Sequence, residues 1–245
     1  MSTKKVSKRQ RIREKRKRQA HMRRLGLIGG VAIVAVLVAA VLIFSLWQPP
    51  DKIATVEPIS RPTAAGTAMG DPNAPVIMDV FEDFQCPACV HYTEEVEKRV
   101  AETYVGSGQV YYVFHHYPFL DRNSTEKESQ QAANASMCAN EQGLFWEYHD
   151  LLFANWNGEN AGAFRDERLM TFAETLDLDM DFFTTCFEEN RYQAEIQADY
   201  EMGVEMDASG TPSVFVNGQQ VTPGYVPRFE DVQQAVEAAL ISSGQ

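Results

Sequence analysis

Hydrophobic and polar positions change rhythm several times along the chain. Residues 25–47, "LGLIGGVAIVAVLVAAVLIFSLW", run 23 positions without a charge. As a helix this stretch would reach roughly 34 Å at ~1.5 Å per residue, against a bilayer core of ~30 Å. Trp47 ends it with an interfacial aromatic, and Pro49-Pro50 prevents a helix from continuing. No period survives over 48–70, where Pro, Ala, Thr and Gly dominate, and a linker is expected there. "VIMDVF" (76–81) and "VYYVFHHY" (110–117) are short β-prone runs. Between them Val90, Val96, Val100 and Tyr104 recur at helical spacing. From about 124 to 205 the pattern is helical, with a break near Gly143. Residues 211–224 read as strand, Asn217-Gly218 turn, strand, the strongest short hairpin signal, and an amphipathic helix closes the chain. The order is β-α-β, helical block, β-β-α. It predicts an α/β domain over 71–245 with an inserted α-helical subdomain at about 124–205, preceded by one transmembrane helix.

Charge sharpens the first part of that picture. Residues 1–24 hold 12 Lys or Arg and one acid, Glu14, leaving 10 bases against 33 acids in the rest of the 245-residue chain. A basic segment beside an apolar span predicts a cytoplasmic N-terminus, a single-pass anchor at 25–47 and a catalytic domain outside the membrane. The rival is a cleaved signal peptide cut near Val38-Ala39-Ala40. Its apolar region should span only about 7–15 residues, and here it continues to Trp47. The basic arm has a second rival as a nucleic-acid contact, but it lacks interleaved aromatics, so no nucleic-acid partner is expected.

Outside the membrane, thiols can oxidise and disulfides persist. Four cysteines in nearly 200 residues are too few for a disulfide-stapled miniprotein, and the domain is long enough to build its own core. Cys86 and Cys89 stand three apart in "FEDFQCPACVHY" (81–92), at the predicted strand-to-helix turn. A thiol reacts as its thiolate, and a helix N-terminus offers free N–H groups and the positive end of the helix dipole. Pro87 suits the first helical turn, where a missing N–H costs nothing. The spacing assigns Cys86 as exposed nucleophile and Cys89, one turn further in, as shielded resolving thiol. Zinc would need two more ligands at recognisable spacing, which Cys138, Cys186, His91, His115 and His116 do not supply; a purely structural Cys86–Cys89 bridge would add little. Neither a metal nor a cofactor is expected. In "SGTPSVFVNG", a cis Thr211-Pro212 bond would present Thr211 backbone beside Cys86, where an extended substrate chain could pair with it; an ordinary trans Pro at a strand edge is the alternative.

"EDFQCPAC", "AANASMCANEQGLFWEYHDLLF" and "GTPSVFVNG", in this order, resemble the DsbA family of extracytoplasmic thiol-disulfide oxidoreductases over about 71–240. The resemblance implies a thioredoxin fold with a helical domain inserted after the second strand, a Cys86–Cys89 redox pair and a cis-proline at Pro212. The anchor and the second cysteine pair are most similar to membrane-tethered members of Gram-positive and related bacteria. Two positions depart from the family pattern. The glutamate that many members carry six residues before the first cysteine is Val80 here, leaving Asp79, Glu82 and Asp83 as nearby acids. Which of the three assists deprotonation of Cys89 stays open, with a solvated loop role as the alternative for Glu82 and Asp83. The strongest oxidants also carry His where this chain has Ala88; His91 could substitute electrostatically or be a solvated helix residue.

The expected activity is dithiol oxidation, forming disulfides in reduced or unfolded secreted proteins. A membrane redox partner, DsbB-like or vitamin K epoxide reductase-like, would recycle it. The alternatives are a reductase or isomerase on the same site, or a chaperone-like module that binds without turnover; a pure holdase would not need an intact Cys-x-x-Cys. Cys138 and Cys186 both fall in helical patterns of the insertion. In an oxidising compartment a structural disulfide between them is expected, with buried free thiols as the alternative.

Overall fold

The computed structural model describes residue 22 and residues 36–39, 52–57 and 59–244. Nearly all of the basic segment 1–24 and of the expected span at 25–47 lies outside them. Among the described residues no helix is long and apolar enough to cross a membrane.

The β-prone runs form the centre of a five-stranded sheet. β1 (Ala68–Met69), β2 (Val76–Glu82), β3 (Val110–His116), β4 (Ser213–Val216) and β5 (Gln219–Gln220) lie in the order β1-β3-β2-β4-β5. β2 and β3 pair in parallel, with Val76 beside Val110 and Glu82 beside His116. A parallel pair needs a crossover, and the helical stretch 87–105, α1, supplies it. α1 opens as Pro87–Tyr92 and widens into π turns at Thr93–Glu97 and Ala101–Val105. β4 returns antiparallel on the other edge of β2, and Asn217 and Gly218, both at positive φ, turn it into β5. The last helix, α7 (Phe229–Ser242), packs on β2 and β4.

The insertion carries five helices: α2 (Glu128–Asn140), α3 (Phe145–Ala154), α4 (Asp166–Thr175), α5 (Met180–Glu188) and α6 (Gln193–Glu205). Gly143, at φ 77°, makes the α2–α3 break that the sequence marks. Alternation along the strands divides the core. Val76, Met78 and Val80 of β2 and Tyr112 and Phe114 of β3 join α1, α7 and most of the insertion in one large apolar cluster. Phe81, Tyr117 and Phe215 form a smaller cluster, against which Tyr200 of α6 packs. Gly203 of α6 lies so close to Tyr117 that a Cβ there would come within 2.6 Å of the ring.

The linker expected over 48–70 is not what residues 53–57 and 59–70 form. Ile53 and Val56 pack against the main core, and Ala54 exchanges two backbone hydrogen bonds with the Asn155 side chain. Met69 is fully buried in β1. Such a segment reads as linker because its apolar residues follow no period. It docks through single anchors and a two-residue strand, which leave no repeating signature.

Candidate active site

β2 ends at Glu82, and Asp83-Phe84-Gln85 turn the chain into α1, whose first residue is Pro87. Cys86 occupies the N-cap with extended backbone, at the end of α1 where the first-turn N–H groups have no partner within the helix. Both thiols are free, giving the dithiol form. Cys86 is 7% exposed and Cys89 fully buried, so the expected exposed position of Cys86 is corrected: in the dithiol form both sulfurs lie under neighbouring chain. The Thr211–Pro212 peptide is cis, and Cys86 Sγ donates to Thr211 O at 3.3 Å.

The two thiols are pushed in opposite directions. Cys86 is lowered to about 6: a hydrogen bond from Cys89 favours its thiolate, burial opposes, and contacts from Thr211 and the Cys89 and Ala88 amides add to the lowering. Cys89 is raised well above an ordinary thiol, first by burial, then by donating to Cys86 and by the field of Glu82. The arrangement yields one thiolate nucleophile and one protonated partner.

Glu82 and Asp83 are 1% and 2% exposed, which removes the solvated-loop reading for both. Asp83 is structural: its carboxylate accepts from the backbone N–H of Gln85 and of Leu120, and burial raises it to about 7 despite those bonds. Neither Glu82 oxygen has a hydrogen-bond partner. Burial and then the charge of Glu97 push its carboxyl well up, and Cys89 draws it partly back. Glu82 is thus a buried acid, pushed toward its neutral form, beside Cys89. Asp79 is engaged elsewhere, with His115 Nε2 at 3.0 Å. His91 is exposed, as a solvated helix residue would be.

Several participants had no sequence signal beyond residue type. Gln85, fully buried, ties the cysteine turn to the insertion: its Nε2 donates to Ser129 Oγ at 2.9 Å, its Oε1 accepts from Asn160 N at 2.6 Å, and its backbone O accepts from Trp156 Nε1 at 2.7 Å. Arg61, Glu97, His149 and Asp150 form a buried polar group behind Glu82. Arg61 Nη2 lies 2.7 Å from both Glu97 Oε1 and Asp150 Oδ1. His149 and Asp150 are neighbours in "LFWEYHDLLF", but nothing in the sequence links them to Arg61 or Glu97. Cys138 and Cys186 are joined by a disulfide between α2 and α5, with Cα atoms 5.8 Å apart.

A thioredoxin family model matches residues 63–238. The Na(+)/H(+) antiporter NhaA 3 of Salinispora tropica is 36% identical over 174 residues, 71% of this chain but 24% of that protein. The chain therefore spans about a quarter of the length of such antiporter relatives. The probable disulfide bond formation protein D of Bacillus anthracis is 25% identical over 175 residues, covering 71% of this chain and 77% of that one. The crystal structure of oxidised BdbD from Bacillus subtilis superposes with a TM-score of 0.64 at 17% identity, over 77% of this chain and all of that one, a likeness of fold.

Proposed function

We propose that this chain, which belongs to the thioredoxin family and within it to the DsbA-like thiol-disulfide oxidoreductases, is a dithiol oxidase acting outside the cytoplasm. The observation that carries this reading is the opposite poise of its thiols, Cys86 lowered to about 6 and Cys89 raised. A stabilised Cys86 thiolate favours the dithiol form of the enzyme, which makes its disulfide a stronger oxidant.

In that reaction a substrate thiolate attacks Cys86 Sγ of the disulfide form. The Cys86–Cys89 bond breaks, its electron pair moves to Cys89, and Cys89 takes a proton from Glu82. The substrate's second thiolate then attacks its own sulfur in the mixed disulfide, and Cys86 leaves as a thiolate. The substrate is oxidised by two electrons and the enzyme reduced by two. The Thr211 carbonyl, already an acceptor for Cys86 Sγ, sits where an extended substrate segment would add its backbone. The clients of this reading are reduced secreted proteins, and a quinone-linked membrane protein, DsbB-like or vitamin K epoxide reductase-like, recycles the dithiol. The basic segment 1–24 and the apolar run 25–47 support an anchor with the N-terminus in the cytoplasm.

The neutral Pro87-Ala88 dipeptide favours a second reading, a reductase or isomerase on the same site. The reduction potential of Cys86–Cys89 in a glutathione buffer separates the two. A value toward about −120 mV supports oxidation, and one near the roughly −270 mV of thioredoxin supports reduction.

A further inference from the structure

The mechanism moves a proton on and off Cys89, yet Cys89 and Glu82 are both sealed from solvent. Behind Glu82 the buried groups continue. Carboxylate oxygens of Glu82 and Glu97 and a ring nitrogen of His149 all lie within 4.8 Å of one another. His149 Nε2 is 3.7 Å from Glu97 Oε2 and has no hydrogen-bond partner of its own. On the other side of the ring, His149 Nδ1 meets Asp150 Oδ1 at 2.9 Å. Asp150 and its ion-pair partner Arg61 line a cleft of about 410 Å³, walled by Val56, Trp146 and Thr175 among others. Neither cysteine nor the Thr211–Pro212 turn lines that cleft.

The charges of this group do not close as drawn. Glu82, Glu97 and Asp150 face a single permanent cation, Arg61, so two positive charges are missing. A divalent ion could supply them, but Glu97 is committed on both oxygens: Oε1 to Arg61 at 2.7 Å and Oε2 to the Tyr112 hydroxyl at 3.1 Å. Exchangeable protons fit better than an ion, because Glu82 has no hydrogen-bond partner and the His149 ring, held at Nδ1 by Asp150, turns an unpartnered Nε2 toward Glu97. The other titratable groups facing it are Cys86 at the N-cap of α1, Cys89 and Tyr92 of α1, and Tyr112 and His116 of β3. Burial raises Tyr92 and Tyr112 and lowers His116 to about 4, so all three stay neutral.

We propose that Glu97, His149 and Asp150 form a proton relay that connects Glu82 to the cleft beside Arg61. The inference rests on the reading of Glu82 as proton donor and acceptor for Cys89. During substrate oxidation a proton enters at Asp150, passes through His149 and Glu97, and replaces the one Glu82 has given to Cys89. When the dithiol is reoxidised the Cys89 proton leaves by the same route. Substrate covering Cys86 therefore does not block proton exchange.

The test is steady-state oxidation of a dithiol peptide by the full-length protein, with saturating glutathione disulfide as terminal oxidant, in H₂O and D₂O across about pH 5–9. Asp150→Asn should slow turnover about tenfold at neutral pH, enlarge the solvent isotope effect and be partly rescued by imidazole. Thr175→Trp places a bulky plug at the exposed rim of the cleft without touching a relay group. It should slow turnover about twofold or more while leaving the thermal midpoint and the pH dependence of Cys86 alkylation unchanged. If Asp150→Asn fails to fold, Thr175→Trp decides alone. Native rates and isotope effects in the folded variants overturn the relay. Glu82→Gln with a native pH profile instead removes the reading of Glu82 on which the relay rests.

Discussion

Cys86 and Cys89 stand three positions apart at the head of one helix, whereas Cys138 and Cys186 stand 48 apart in the bodies of two. Burial hardly distinguishes the pairs, since Cys86 is 7% exposed and the other three fully buried. What differs is the neighbouring chemistry. Around Cys86 a hydrogen bond from Cys89 and the first-turn amides of Ala88 and Cys89 favour a thiolate, and beside Cys89 stands an acid with no hydrogen-bond partner. Beside Cys186, the nearest charged group, Glu141, is already satisfied by Arg191 and by the Tyr192 hydroxyl at 2.7 Å. Nothing there is left to stabilise a thiolate or to take up a proton. The same side chain is thus a reagent in one region and a cross-link in the other.

The largest effect should come from exchanging the pairs' roles by mutation. Cys86→Ser should lower dithiol oxidation by at least about 10³-fold, while the double variant Cys138→Ala/Cys186→Ala stays within about twofold of native. Cys89→Ala should accumulate mixed disulfides between Cys86 and client proteins. A double variant as inactive as Cys86→Ser would erase the distinction.

Stability should show the converse. Removing the Cys138–Cys186 bridge frees a loop spanning 48 positions, worth roughly 4 kcal/mol at most in the chain-entropy model. Urea unfolding should register most of that loss, and mild reductant should open Cys86–Cys89 while leaving the bridge intact. A loss below about 1 kcal/mol would mean that α2 and α5 hold each other by packing alone.

Titration gives a finer test. Alkylation of Cys86 in the dithiol protein should follow an inflection near 6. Its folded value is depressed below the ordinary 9.0. The stability this thiolate adds to the dithiol form is therefore complete above about pH 9 and lost as pH falls through about 6. Unfolding of the native dithiol form against Cys86→Ser at pH 5 and pH 9 checks the sign; an equal difference at both would place Cys86 in an ordinary environment.

The smallest effect concerns how the insertion is held to the sheet. His115 of β3 sits between Asp79 and Asp199 of α6. Burial disfavours its imidazolium, but bonds to Asp199 and Asp79 outweigh that and raise it to about 9. A raised value means stability complete below the ordinary 6.5 and lost as pH rises through about 9. Asp199→Asn should cost of order 1 kcal/mol near pH 6 and less near pH 10, by urea unfolding. An undiminished cost at pH 10 would assign the effect to the bond from His116 N to Asp199 instead.

Much of this was readable in advance. The β-prone run "VIMDVF", the Asn217-Gly218 turn, the helical spacing after Cys89 and Pro87 in the first turn are local signals, and each lies where the structure has the element it predicts. Backbone preference and hydrophobic period act over a few residues, so the sequence by itself determines strands, helices and the placing of Cys86 at a helix start. Only the tertiary structure decided that Glu82 and Asp83 are buried, that residues 53–57 and 59–70 dock on the domain, and that Arg61, Glu97, His149 and Asp150 meet behind Glu82. The physical reason is desolvation. Whether a carboxyl keeps its charge depends on how much water every surrounding element excludes, and those elements include β4, which lies more than a hundred residues along the chain from β2.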